Sequence, residues 1–292
     1  MGMSPSDKEI SDEDIKVFLE AIRLRSNYDF TNYSLKSLKR RIAKVLSDSR
    51  LSIQQLEKEI INNPLFMEKV VMSITVNTTE LFRDPAIWIT LRDEILPRYS
   101  NQSKINIWHA GCSTGQEVYS MMIVLEELDL LSKSEIFASD INSDVLEIAK
   151  TGMYKFRFNH SYFDNFVRVM QTGKEQSTEE KLFFHNKYFS IDKLNDCIQM
   201  KSLLTGKPVY KKIDLVKDEN LFHVKFDLII CRNVIIYFNN DLQNKVFNLF
   251  YQNLYNNGCL LLGIHESMLG PYASHFDKKN SAYFKKEKLI NK

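Results

Sequence analysis

From Ile105 onward, apolar runs of strand length alternate with longer segments of 3.6-residue apolar period, and this restricts the chain to a mostly parallel sheet wrapped by helices. Ile105–Ala110 (I-N-I-W-H-A) reads as a buried strand. A helix over 116–130 follows, with Val118, Met121, Met122 and Leu125 on one face. Residues 135–141 (E-I-F-A-S-D-I) give a second strand and a helix carrying Val145, Ile148 and Ala149. Val209–Ile213 gives a third, and 226–231 (F-D-L-I-I-C) a fourth, before a helix with Val246, Leu249, Phe250 and Leu254. Asn257-Gly258 is expected to close that helix and open a strand from Cys259 to Ile264, and 282–285 to add an edge strand.

The chain before Ile105 has a different character. Ile15, Phe18, Leu19 and Ile22 share one helix face, as do Leu35, Leu38, Ile42 and Val45 from Ser34 on. Ser52 and Gln55 are spaced as a capping box for a third helix, and Asn63-Pro64 as an N-cap with Pro at the first position of a fourth. Residues 1–75 therefore read as a small all-α domain, with the first ten polar. Residues 76–104 are expected to be a linker and a lead-in helix from Pro85 through Ile95, and 105–292 the α/β domain. The alternation fails between Gly152 and Lys207, an aromatic-rich stretch with one polar run, Gln171 to Lys181. An inserted subdomain near 154–208, with a short hairpin over the ligand edge of the sheet, is expected there.

At a prior of ~150 residues per domain, 292 residues suggest two domains, and 44% hydrophobic residues suffice to bury real cores. A formal net charge of +2 lacks the excess of a nucleic-acid coat. The four cysteines are far apart, without C-x-x-C or metal-ligand spacing, and read as reduced thiols. No signal-like start or apolar run of ~20 residues is present, so a cytoplasmic protein without direct membrane insertion is expected.

In open α/β sheets the ligand lies at the carboxyl ends of the strands, so the residues that end each strand are the candidates. The turn Gly111–Gly115 lets backbone approach a ligand closely, and the helix after it offers unpaired N–H groups. Asp140 ends the second strand, where it can accept from two ribose hydroxyls or cap the next helix; Asn142 and Ser143 are alternative caps. Glu117 complements the helix dipole or faces a cationic or hydroxylated ligand, and it repels a diphosphate. Asp214-Leu215 meets an adenine edge or forms a turn; Arg232-Asn233 and Tyr237 follow the fourth strand. Without a third glycine or a G-K-[ST] end, the cradle suits S-adenosylmethionine better than a dinucleotide or triphosphate. The six histidines read as structural or exposed.

Four motifs occur in order: N-T-T-x-x-F-R-D from Asn77, S-T-G-x-E-x-Y-S from Ser113, A-S-D-I from Ala138 and C-R-N-V-x-I-Y-F from Cys231. On these the chain resembles the CheR family of chemotaxis methyltransferases over nearly its whole length. The resemblance implies a Rossmann-like class I methyltransferase domain after the helical one. It also implies methyl transfer from S-adenosylmethionine to glutamates on the cytoplasmic coiled coil of methyl-accepting chemoreceptors, yielding S-adenosylhomocysteine, by a monomer without nucleic acid. Asn77, Thr79 and Arg83 would contact the methionine half of the cofactor, Glu117 its ribose or amino-acid end and Asp140 the ribose; Gly111, Asp214, Leu215, Arg232 and Asn233 would make the remaining contacts. Arg83 and Tyr237 would lie nearest the methyl, and Arg40, Arg41 and Lys44 would face the receptor, although a solvated helix face gives the same basic pattern. Two departures stand out: Gln116 replaces the Glu common after S-T-G, and Tyr154–Pro208 differs from the β-subdomain with which some members grip a receptor tail. Competing readings are a methyltransferase for another acceptor and a silent cofactor-binding module.

Overall fold

The computed structural model describes residues 10–25, 28, 30, 31, 33–74, 79–156, 160–170 and 186–287. The polar run expected at Gln171–Lys181 lies outside them, as do Asn77 and Thr78. The chain divides into two compact units, one of Met1–Val76 with Val234–Gln243, the other of Asn77–Asn233 with Asn244–Lys292.

The helical unit holds α1 (Asp12–Arg25), α2 (Leu35–Ser49), α3 (Ile53–Asn62) and α4 (Pro64–Ile74). Its core buries Ile15, Phe18 and Ile22 of α1, Leu38 and Ile42 of α2, Leu56 and Ile60 of α3, and Val70, Val71 and Ile74 of α4, whereas Leu35, expected on the inner face of α2, is exposed in its first turn. The predicted caps form. Ser52 Oγ accepts the Gln55 N–H at 3.3 Å while Gln55 Oε1 accepts the Ser52 N–H at 2.9 Å, and Asn63 Oδ1 accepts the Phe66 N–H at 3.1 Å ahead of Pro64. A later segment completes the unit: the Ser34 N–H donates to the Tyr237 carbonyl at 2.9 Å, and Tyr33 pairs with Phe238 as an isolated antiparallel bridge.

The second unit is built on a seven-stranded sheet of order β6-β2-β1-β7-β8-β10-β9. In sequence these are β1 (Ile105–Ala110), β2 (Ser134–Asp140), β6 (Val209–Lys212), β7 (Phe226–Cys231), β8 (Leu254–Leu262), β9 (Phe276–Lys279) and β10 (Ala282–Lys285). The first five pair in parallel; β10 and β9 close the sheet antiparallel. β1 and β7 are buried at every position, which explains their near-continuous apolar character. The order reverses between β1 and β7, and such a switch point opens a crevice at the carboxyl ends. Helix α6 (Gln116–Glu127) follows β1 and is buried from Val118 to Leu125. The lead-in α5 (Pro85–Thr90) continues as a π-type turn over Leu91–Ile95 and a 3₁₀ turn over Leu96–Tyr99. Leu81, Phe82 and Trp88 belong to the core of this unit.

Two boundaries differ from the sequence reading. The last long helix, Asn240–Asn253, ends before Asn257-Gly258, which lie inside β8. There Asn257 has φ 62° and the register with β7 shifts; a Cβ on Gly258 would sit 2.9 Å from the Tyr255 carbonyl oxygen, so the pair makes a kink in the strand. β10 is an inner strand, because the polar F-D-K-K of β9 takes the edge.

The stretch where the strand–helix alternation fails carries a second, smaller sheet. A three-stranded antiparallel sheet, β3 (Met153–Lys155), β5 (Cys197–Met200) and β4 (Phe189–Asp192), contains the hairpin, and α8 (His160–Met170) accompanies it. The Tyr154 O–H donates to the Thr114 carbonyl at 2.7 Å, and Phe166 meets Phe82 edge to face at 5.6 Å. Among the described residues no helix is long and apolar enough to cross a membrane.

Gly115 has φ 88°, and a Cβ there would sit 2.8 Å from the Ala149 Cβ and 3.2 Å from its Cα. Its lack of a side chain serves helix packing as well as the turn. Gly115→Ala is expected to destabilise the protein by about 2–3 kcal/mol, read as a lowered midpoint in thermal unfolding.

Candidate functional site

The carboxyl ends of β1, β2, β6 and β7 bring most of the predicted residues of the second unit together. The Gly111 N–H donates to the Ser139 carbonyl at 2.8 Å, folding the turn after β1 back on β2. Asp140, at the end of β2, is 9% exposed; its Oδ2 accepts the Ser113 N–H at 2.8 Å and its Oδ1 the Asn142 N–H at 3.0 Å. Asn142 caps the next helix by accepting the Asp144 N–H at 2.9 Å, so that task does not fall to Asp140. Each carboxylate oxygen has two lone pairs, so one on each remains for a ligand donor. Burial pushes the Asp140 carboxyl above its ordinary value, and the backbone donors offset only part of that rise.

Glu117 lies in the first turn of α6, with its side chain 15% exposed. Its Oε2 takes Arg232 Nη1 at 2.9 Å, and its Oε1 lies 3.2 Å from His109 Nδ1 on β1, which must donate because an ionised carboxylate only accepts. Burial alone would raise this carboxyl, but the His109 bond and the Arg232 charge outweigh it and hold it below the usual carboxylate range. Arg232, directly after β7, has a side chain only 1% exposed. Its Nη2 donates to Asp84 Oδ2 at 2.7 Å and to the Arg83 carbonyl at 2.9 Å, and the same carbonyl accepts Trp88 Nε1 at 2.9 Å. The Arg83 side chain is half-buried, and among the described residues its guanidinium has no hydrogen-bond or ion-pair partner.

Asn233 adopts φ 60°, and its N–H donates to Glu266 Oε2 at 2.8 Å, the oxygen that also takes the Gly263 N–H at 2.8 Å. Asp214 forms a turn, its Oδ1 accepting the Val216 N–H at 2.9 Å; Leu215 is buried beside it, and the Ile213 N–H on the Asp140 carbonyl at 3.1 Å keeps this loop next to Asp140. Thr79 is half-buried, and Gln116 is buried with its Oε1 accepting the Thr114 hydroxyl at 2.7 Å.

Phe82, Asp84, Ser113 and Asn233 all have positive φ, between 51° and 60°. For a phenylalanine that is a strained conformation, held by complete burial and by the Phe82 N–H on Ser120 Oγ at 2.9 Å. Sequence reasoning missed His109 and Glu266 as parts of the site, and held Asp84 and Ser113 only as members of motifs, without a role. Asp84 before Pro85 resembles a helix cap but makes no cap bond, since its carboxylate goes to Arg232. The available signal for His109 was a basic residue within an apolar strand.

The remaining predicted residues lie in the helical unit. Arg40 and Lys44 are exposed on α2. Arg41, expected beside them on the receptor face, is instead half-buried: its Nη1 donates to the Ile74 carbonyl at 2.8 Å, and its Cζ lies 4.9 Å from the centroid of the Tyr237 ring. Because the α2 helix turns Arg41 toward Ile74 and Tyr237, its charge is not part of the solvated basic face.

The cradle fits a cationic nucleoside. Asp140 retains acceptors for hydroxyls, Glu117 contributes negative charge, and Ser113 Oγ is buried without a hydrogen-bond partner among the described residues.

A family model described as "CheR methyltransferase, SAM binding domain" matches residues 77–182 and 177–284. The Pseudomonas putida protein with the provisional name methyltransferase Cher3 is 34% identical over 269 residues, 91% of this chain and 93% of its own. A chemotaxis protein methyltransferase of Borreliella burgdorferi is 31% identical over 78% of this chain and 81% of its own. Chemotaxis protein methyltransferase 1 of Vibrio cholerae is 30% identical over 89% and 91%.

Removing Arg232 strands two carboxylates. Arg232→Met is expected to cost about 3 kcal/mol at neutral pH in chemical denaturation. The deficit should narrow as pH falls, because the unpaired Glu117 then protonates more easily in the folded state; a deficit independent of pH would mean that lost packing dominates. In the unaltered protein, carboxyl NMR should show Asp140 titrating above, and Glu117 below, the ordinary value of its own residue type.

Proposed function

This chain belongs to the CheR methyltransferase family, and we propose that it esterifies glutamate side chains on the cytoplasmic coiled coil of methyl-accepting chemoreceptors. S-adenosylmethionine supplies a sulfonium methyl that a carboxylate takes by in-line displacement, with no proton transferred. A glutamate of reference pKa ~4.3 is already ionised at neutral pH, so the chain needs no general base. What its residues must do is hold, orient and exclude water.

Asp140 and Ser113 hold the ribose side of the cofactor, with Asp214 and Leu215 along the adenine. Glu117, Asn77, Thr79 and the Arg232-Asn233 backbone hold the methionine side. Arg83 steers the incoming carboxylate, and Tyr237 packs beside the methyl. The observation that carries this reading is the Arg83 guanidinium, unpaired among the described residues and attached to backbone that Arg232 and Trp88 fix. A cation that its own protein leaves without a counter-ion is suited to an anionic acceptor. Exposed Arg40 and Lys44 supply positive charge toward an acidic coiled coil.

The test combines methyl-labelled cofactor with membranes carrying chemoreceptors. Label should enter the receptor band and leave in mild base, as a carboxyl ester does. Base-stable label would point to another acceptor, and bound cofactor without transfer to a silent module. Arg83→Ala should lower kcat by about 100-fold, since misplacing a reactant by about 1 Å costs that much. An unchanged kcat would remove Arg83 from the reaction.

A further inference from the structure

We infer that Arg41 is a positioning residue that fixes the ring of Tyr237 from α2, rather than a receptor contact. The inference rests on the proposed function only for what Tyr237 does; the contact itself lies wholly inside the helical unit. Tyr237 closes a 3₁₀ turn, Ile235–Tyr237, that returns to this unit after β7. Its backbone is tied to the start of α2 through the Ser34 N–H at 2.9 Å. The next residue, Phe238, pairs with Tyr33, their rings edge to face at 5.1 Å. Gln243 Nε2 donates to the Ile235 and Phe238 carbonyls at 3.1 Å each, bracing the turn from its far side.

The backbone at 237 is thus placed by α2, and so is the side chain. Arg41 is two helical turns along from Ser34, and its Cζ lies 4.9 Å from the Tyr237 centroid, within cation–π range. The guanidinium cannot swing away freely, because its Nη1 is held by the Ile74 carbonyl at the end of α4. A planar cation anchored at one edge restricts the ring that it covers. Arg40 and Lys44, its basic neighbours on α2, are exposed and suited to the receptor. One helix therefore carries two kinds of cation. A pair faces solvent, and a third faces a side chain assigned to the reaction.

The test uses the full chain with 3-fluorotyrosine placed at position 237, together with steady-state methylation of chemoreceptor membranes. Arg41→Met should move the fluorine resonance and lower kcat by about tenfold, while receptor KM and cofactor affinity stay within about twofold. Arg41→Lys, which keeps a cation without the planar fork, should fall between and serves if the Met variant does not fold. Lys44→Ala should leave the resonance in place and raise receptor KM. An unmoved resonance in Arg41→Met overturns the proposal, as does a raised receptor KM with kcat intact. If Tyr237→Phe itself leaves kcat unchanged, the assigned role of Tyr237 fails, and the resonance alone decides whether Arg41 positions it.

Discussion

One buried guanidinium organises the candidate site. Arg232 has two carboxylates and a carbonyl as partners, and these come from two other parts of the chain: Asp84 and Arg83 from the lead-in turn, Glu117 from the first turn of α6. A charge with only 1% of its side chain exposed must have its counter-ions in place, since leaving one buried ion unpaired costs several kcal/mol. The lead-in turn is therefore held against the sheet by electrostatic necessity as well as by packing. His109 extends the network by donating to the second oxygen of Glu117 from within β1. The His109 bond and the Arg232 charge together keep Glu117 ionised despite its burial.

That network explains why the backbone around it tolerates strain. Phe82 and Asp84 flank Arg83 in left-handed conformations, and neither residue type prefers that region as glycine does. Phe82 is compensated by a fully buried ring among Trp88 and Phe166, and Asp84 by its ion pair. Between them, Arg83 spends its carbonyl on the scaffold, and its guanidinium is unpaired among the described residues. On the other flank Asn233 is held in the same region by Glu266, whose single oxygen takes two backbone donors; a side chain on Gly263 would come within 2.7 Å of that oxygen. The site is thus shaped by irregular backbone that regular elements pin at both ends.

The elements were legible where one physical signal dominated. The helical faces, the capping box at Ser52 and Gln55, the Asn63-Pro64 start and the buried central strands all follow from periodicity and cap chemistry. The kink at Asn257-Gly258 was misread because N-G marks a helix end and a strand kink with the same two letters. β9 was missed because F-D-K-K has the polarity of a loop, which is also what an exposed edge requires. Within the site, Asp140 and Glu117 stood out as acids at strand and helix ends. Asp84 and Glu266 did not, because their importance comes from partners 148 and 33 residues away. Arg41 shows the same limit. Its sequence neighbourhood is a basic helix face, and only the returning Tyr237 turn gives it a different task.

That returning turn also sets an order of events in synthesis. The helical unit comprises residues near the start of the chain together with Val234–Gln243, and all of Asn77–Asn233 lies between the two pieces. As the chain leaves the ribosome, α1 to α4 emerge first, yet the partner of the Tyr33 bridge and the acceptor for the Ser34 N–H do not exist until most of the sheet has been made. The first domain to appear is complete only once four strands of the second unit's large sheet have been made. A genetic cut between the units at residue 76 would separate the helices from their own final turn, so this arrangement resists the exchange of domains by simple splicing.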